Sequence, residues 1–97
     1  MIIEFEWDER KEKINIVKHG IDFDTAALVF GDKDRIEKYD EVHSLDKERY
    51  ITIGLVNGTA ILVTVVYVER MSAIRIISAR LANRKELEEY YDNKKEY

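Results

Sequence analysis

The stretch "AILVTVVYVER", residues 60–70, is apolar at both odd and even positions over most of its length. A strand with one wet face alternates apolar and polar residues, so this one requires cover on both faces and a central place in its sheet. The apolar run it belongs to, Thr59 to Val68, is too short to cross a bilayer and suits a buried strand. A chain of 97 residues can enclose one modest core around such a strand, so one domain over residues 1–97 is expected. With 45% apolar and 37% charged residues, the balance is that of a folded domain and not of a disordered chain.

The remaining elements follow from local signals. "IIEFEWD" alternates Ile3, Phe5 and Trp7 against Glu4, Glu6 and Asp8, which reads as a short strand with one buried face. Asp8 can cap a helix from Glu9 to about His19, and Gly20 suits the left-handed position that ends it. On that helix Lys11, Asn15, Lys18 and His19 share a polar arc, with Ile14 and Val17 expected to point into the core. "IDFDTAALVFGD" reads as a second short helix capped by Asp22, with Phe23, Ala26, Ala27 and Phe30 at helical spacing. "RIEKY" is a plausible edge strand. "RYITIGLV" (Arg49 to Val56) is a β-branched strand, and "NGT" (Asn57 to Thr59) turns it into the central strand. "MSA" turns the chain again into "AIRIISAR". Asn83 with Glu86 three residues on then forms a capping box for a last helix, whose buried stripe is Leu87, Tyr90 and Tyr91. The expected fold is α+β: a small antiparallel sheet packed with N-terminal helices and a C-terminal helix.

Charge is unevenly spread. Arg70 to Lys85 holds five cations (Arg70, Arg75, Arg80, Arg84 and Lys85) and no carboxylate, within a chain of net charge −4. Outside that stretch, 11 Lys and Arg stand against 20 Asp and Glu. This balance argues against a general nucleic-acid coat and leaves room for one local phosphate site or a charge-protected strand edge. Strict alternation sends Arg75 and Arg80 to opposite faces, and only a bulge or a strand ending near Ala79 would bring them together. Arg70 and Glu69, at the end of the central strand, diverge in the same way. Arg84 and Lys85 lie in the first turn of the last helix, where free backbone N–H groups favour an anion, although Glu86 or Glu89 could supply it internally.

His19 and Lys18 sit at a helix C-terminus, where the dipole favours cations. This suits a structural cap as well as a proton donor. His43 falls in the polar loop "DEVHSLDKER". Two histidines without a carboxylate at ligand spacing give no metal signature, and the absence of cysteine rules out disulfides and thiolate metal sites. No cofactor is expected. The start "MIIEFEWDER" lacks the basic and long apolar segments of a signal peptide, so a cytoplasmic address is expected, with no membrane partner.

"FEWDERKEKINIVKHGIDFDTA", "HSLDKERYITIG" and "YVERMSAIRIISARLANRKELEEYY" together resemble the BrnT family in order and spacing over nearly the whole chain. Two departures are Lys33, where the family often has proline, and "VER" from Val68, where it commonly reads "TER". Neither removes an ionisable group. The resemblance implies a RelE-like fold and the toxin of a bacterial type II toxin–antitoxin pair, a ribonuclease that stops translation by cutting RNA. It also implies a BrnA-like antitoxin of ribbon-helix-helix type, and contact with operator DNA only through the joint complex.

Metal-independent RNA cleavage needs a base, an acid for the leaving oxygen and cations on the phosphorane. The candidates for charge stabilisation are Arg70, Arg75 and Arg80, with Arg49 from "KERY". Those for proton transfer are His19 or His43, with Glu69 as an alternative base and Lys18 as a supporting cation. Arg84 and Lys85 complete the phosphate-binding candidates. A rival class is a non-catalytic module that binds an antitoxin-like partner through its sheet and basic patch. Direct DNA binding by the chain itself is opposed by its net acidity and the lack of a basic recognition helix.

Overall fold

Short polar side chains that satisfy helix ends punctuate the chain, whose residues 3–94 are described by a computed structural model. The elements are β1 (Glu4–Glu6), α1 (Glu9–His19), α2 (Phe23–Leu28) with a 3-10 turn at Val29–Gly31, β2 (Ile36–Tyr39), β3 (Tyr50–Leu55), β4 (Leu62–Arg70), β5 (Ala73–Leu81) and α3 (Arg84–Lys94). Asp8 accepts hydrogen bonds from the amides of Arg10 and Lys11 and starts α1, while Gly20, at φ +74°, ends it. Asp22 does the same for α2 through the Thr25 amide. Asn83 and Glu86 exchange side-chain to backbone bonds of 2.8 and 2.9 Å, a complete capping box.

The five strands lie in the order β1-β5-β4-β3-β2, so the doubly apolar β4 is central. From β2 to β5 the sheet is an antiparallel meander, joined by short turns at Asn57–Thr59 and at Met71. The first strand departs from the all-antiparallel expectation, because β1 pairs with β5 in parallel. No turn links the two, and the chain leaving β1 runs on through α1 in the direction of β5. One face of the sheet is sealed by α2 and its 3-10 turn, where Phe23, Ala26 and Val29 meet Val63, Val65, Tyr67, Ile76 and Ala79. On the other face α3 covers one end only, with Tyr90 over Ile36, Ile53 and Leu62. Leu87 and Tyr91 stay partly exposed, so Tyr90 alone is the fully buried member of the expected stripe.

The alternation of β5 is broken. Ser78 faces Val66 and Ile76 faces Tyr67, which leaves Ile77 as an extra residue in a bulge. Ile76 and Ala79 therefore both enter the core. Arg75 opposes Val68 and Arg80 opposes Thr64, two even-numbered positions of β4, so both arginines project from the same face. Arg70, opposite Ala73, shares that face, and Glu69 takes the other.

Helix α1 corrects the reading of its core-facing side. Val17 is 89% and Ile14 65% exposed, whereas Asn15 is 5% exposed. The helix lies along the outer edge of β5 beyond the end of β1, where Ala79, opposite Val65 on its inner side, has no strand on its outer side. Asn15 supplies the missing partner: its Oδ1 accepts from the Ala79 amide at 3.1 Å, and its Nδ2 donates to the carbonyls of Ala79 and Ile21 at 2.8 and 2.9 Å. An amide carries both donor and acceptor and fits this edge, which an isoleucine cannot do. Among the described residues, no helix is long and apolar enough to cross a membrane.

Candidate active site

The half of the sheet that α3 leaves open is bounded by the β2–β3 connection, residues 40–49. Its backbone is pinned to itself. The Asp40 amide donates to the Arg49 carbonyl (2.9 Å), the Ser44 hydroxyl donates to the Asp40 carbonyl, and the Arg49 amide donates to the Ser44 hydroxyl (2.9 Å). This loop, β4, β5 and the first turns of α1 enclose a cleft of about 440 Å³. Lys11, Lys47, Arg49 and Arg75 line it with His43, above a floor that includes Val68 and Ile77; Asp46 is its carboxylate. Asp40, nearly buried, holds the His43 ring through Nδ1 at 3.0 Å. With Nδ1 donating to that carboxylate, the imidazole keeps Nε2 free to accept a proton.

Arg75 is fixed from behind. Its Nη1 lies 3.0 Å from Glu6 Oε2, and Arg70 Nη1 reaches the same oxygen at 3.3 Å. Glu6 thus joins the two arginines at the β1–β5 junction. The alternation of "IIEFEWD" placed Glu6 on the polar face of its strand but could not name the arginines that face it, because the parallel pairing of β1 has no sequence signal. Lys11 and Asp40 also escaped the list of candidates, although Lys11 belongs to the polar arc on α1.

A second cleft, of about 530 Å³, adjoins the first through Lys47 and Val68. Its other lining residues are Glu48, Tyr50, Glu69 and Arg70. Tyr50 stacks on Tyr67 (centroids 5.7 Å apart, 29° between planes) and meets the edge of Tyr39 at 5.6 Å. Glu48 foremost, then burial and Glu69, raise the Tyr50 hydroxyl above its usual range, since both carboxylates line the same cleft.

The structure puts the other candidates elsewhere. Arg80 stands opposite Thr64 and Arg70 beside the β4–β5 turn, six β4 residues or about 20 Å away. Arg80 makes a two-pronged contact with Glu86, at 2.8 and 2.9 Å. Burial works to raise the Glu86 carboxyl, but hydrogen bonds from Arg80, the Asn83 amide and the Thr64 hydroxyl outweigh it and bring the pKa down to about 2. The anion at the start of α3 is therefore the chain's own. Arg84, 93% exposed, lies 3.7 Å from Glu88, and Lys85 is exposed. Lys18 and His19 are exposed in the last turn of α1, beyond Asn15. None of these lines either cleft.

The Glu86 carboxyl titrates lower in the folded chain than its ordinary 4.5, so its contribution is complete above that pH and is lost as pH falls from there toward 2. Since Arg80 is 41% exposed, solvent screening leaves a loss on the order of 2 kcal/mol. Urea unfolding at pH 6 and pH 3 checks this. The wild type should lose more stability between the two than Glu86→Gln, and parallel losses would remove the ion pair from the account.

The architecture is that of a small α+β protein, a mixed five-stranded sheet with helices on both faces and polar clefts at the end that α3 leaves uncovered. The chain belongs to the BrnT family: residues 7–86 match "Ribonuclease toxin, BrnT, of type II toxin-antitoxin system". The crystal structure of the Brucella abortus ribonuclease toxin BrnT is similar, with 30% sequence identity and a TM-score of 0.62 over 86% of this chain and all of that one. No curated protein matches. Membership makes the chain a ribonuclease toxin with RNA as its substrate class and an antitoxin as its partner.

Proposed function

We propose that the cleft beneath residues 40–49 cleaves RNA without a metal ion, and that the cleavage inhibits translation. RNA carries its own nucleophile, the ribose 2′-hydroxyl, next to the scissile phosphate. In this reading His43 Nε2 takes the 2′-hydroxyl proton while Asp40 holds the ring. Arg75, Arg49, Lys11 and Lys47 face the negative charge that develops on the phosphorane, and a lysine or the protonated His43 returns a proton to the leaving 5′-oxygen. Arg70 and Arg75 share Glu6, which keeps both guanidinium groups at the cleft until a phosphate competes for them. Arg80 serves by anchoring α3. The observation that carries this reading is the convergence of four cations on one carboxylate-held histidine.

The wider setting belongs to the same proposal: one RelE-like toxin domain, acting in the cytoplasm, silenced by a BrnA-like ribbon-helix-helix antitoxin, with operator DNA reached only through their complex. The exposed Ile14 and Val17 of α1 offer that antitoxin an apolar surface. Incubating the purified chain with single-stranded RNA in excess EDTA tests the chemistry. Fragments ending in a 2′,3′-cyclic phosphate are expected, and loss of all cleavage on chelation would overturn the metal-free mechanism.

A further inference from the structure

The loop that carries His43 leaves the sheet through an irregular rung. Asp40 and Arg49 continue the register of Tyr39 with Tyr50, and the Asp40 amide donates to the Arg49 carbonyl at 2.9 Å. In an antiparallel ladder such a pair exchanges two bonds, the second running from the Arg49 amide to the Asp40 carbonyl on the loop side. Here the Ser44 hydroxyl stands between those two groups. It accepts from the Arg49 amide at 2.9 Å and donates to the Asp40 carbonyl at 2.5 Å, so one side chain replaces the second bond. The two chains therefore splay where the loop begins. Asp40 and Arg49 lie one residue beyond Tyr39 and Tyr50, and alternation turns both side chains to the sheet face of Val68 and Arg75.

We propose that Ser44 is a positioning residue for RNA cleavage, its inserted hydroxyl setting the separation of His43 and Arg49 across the mouth of the loop. His43 is its neighbour in the chain. The carboxylate of Asp40, whose carbonyl Ser44 binds, holds the His43 ring at 3.0 Å and the His43 amide at 3.4 Å. Arg49, whose amide Ser44 binds, lines the cleft with Arg75. One hydroxyl thus fixes the backbone of the residue that orients the histidine and of a residue that faces the phosphate. Ser44 does not line the cleft, and its proton is spent on the Asp40 carbonyl, so it acts through these neighbours and not on the substrate. Without the hydroxyl, the Arg49 amide and the Asp40 carbonyl can pair directly. That closure leaves both backbone groups bonded but draws the ends of the loop together and moves His43 relative to Arg49. A misplacement of about 1 Å in a catalytic site can cost about 10²-fold in rate. The role rests on the reading of this cleft as the RNA site.

Ser44→Ala and Ser44→Thr in the full-length chain test the proposal. The chain has two histidines, so the NMR signals of the His43 ring can be followed with His19, at the end of α1, as an internal control. Ser44→Ala should shift the His43 signals, leave those of His19 in place, and lower kcat on a labelled RNA by about 10–10²-fold with KM little changed. The midpoint of thermal unfolding should move by only a few degrees, because the freed backbone groups pair with each other. Ser44→Thr keeps a hydroxyl and should retain most of the rate. An alanine variant with an unchanged kcat or an unmoved His43 ring would overturn the proposal, as would a threonine variant as slow as the alanine one. A rate loss that came with a collapse in thermal stability would make Ser44 a stability residue and overturn it too. His43 signals that shift in a chain whose wild type cuts no RNA would keep Ser44 as the residue that places the ring and reject the cleavage reading alone.

Discussion

Asn15→Leu should lower the stability of the fold by about 3 kcal/mol, because it leaves buried backbone groups unpaired at a cost of about 1–3 kcal/mol each. Three groups are involved: the Ala79 amide and the carbonyls of Ala79 and Ile21. Leucine has nearly the same bulk, so the change removes hydrogen bonds without opening a cavity. In a domain of this size the midpoint of thermal unfolding should fall by at least about 10 °C. Val17→Lys, at a position 89% exposed, should shift it by little. The comparison inverts what hydrophobicity alone predicts for this helix. A melt in which Asn15→Leu matched the wild type, or in which Val17→Lys was the more damaging, would mean that α1 packs differently.

Arg75→Ala should reduce RNA cleavage by about 10²–10³-fold, the usual effect of removing one charge-stabilising donor from a site where charge develops. It also frees Glu6, whose carboxylate then stands near the cleft with Arg70 as its partner. His43→Ala should cost about 10²–10⁴-fold as proton transfer is lost, and Asp40→Asn less, since the ring remains but loses its ionic anchor. Arg84→Ala should cleave at a rate close to wild type, because Arg84 lies on the outer side of α3 beside Glu88. Initial rates on a labelled RNA of fixed sequence measure all four. Full activity in Arg75→Ala, or a larger loss in Arg84→Ala than in His43→Ala, would move the active site away from this cleft.

What could be read from the sequence was what neighbouring residues decide. Asp8, Gly20, Asp22 and the Asn83–Glu86 pair each act within a few residues of themselves, and the structure places them at the ends of helices as their chemistry requires. The central position of β4 was legible because its apolar character on both faces admits few alternatives. The readings that changed depended on contacts distant in the chain. Ile14 and Val17 obey helical spacing but lie on a helix that docks through an amide against a strand edge 64 residues away. The parallel pairing of β1 with β5, and with it the role of Glu6, depends on the route the chain takes through two helices. His43 and Arg49 were visible as candidates, but the carboxylate that orients His43 acquires meaning only when the loop closes on itself.

The bulge at Ile77 has a consequence for how this hairpin can change. It acts as a phase shifter, so the two halves of β5 follow opposite parity rules. From Ala73 to Ile76 the even positions face α2; from Ala79 onward the odd ones do, with Ala79 buried and Leu81 exposed at the strand's end. A one-residue deletion at Ile77 would remove the bulge and leave the other β4–β5 pairs in place, with Arg75 still opposite Val68 and Arg80 still opposite Thr64, whereas a deletion elsewhere in the strand would slip one half and exchange its faces. Substitutions on either side of the bulge are thus absorbed separately, and the unpaired residue gives the strand one residue of slack in length. The chain can vary the composition of its cleft and of its α3 anchor independently, as long as Arg75 and Arg80 keep their partners on β4.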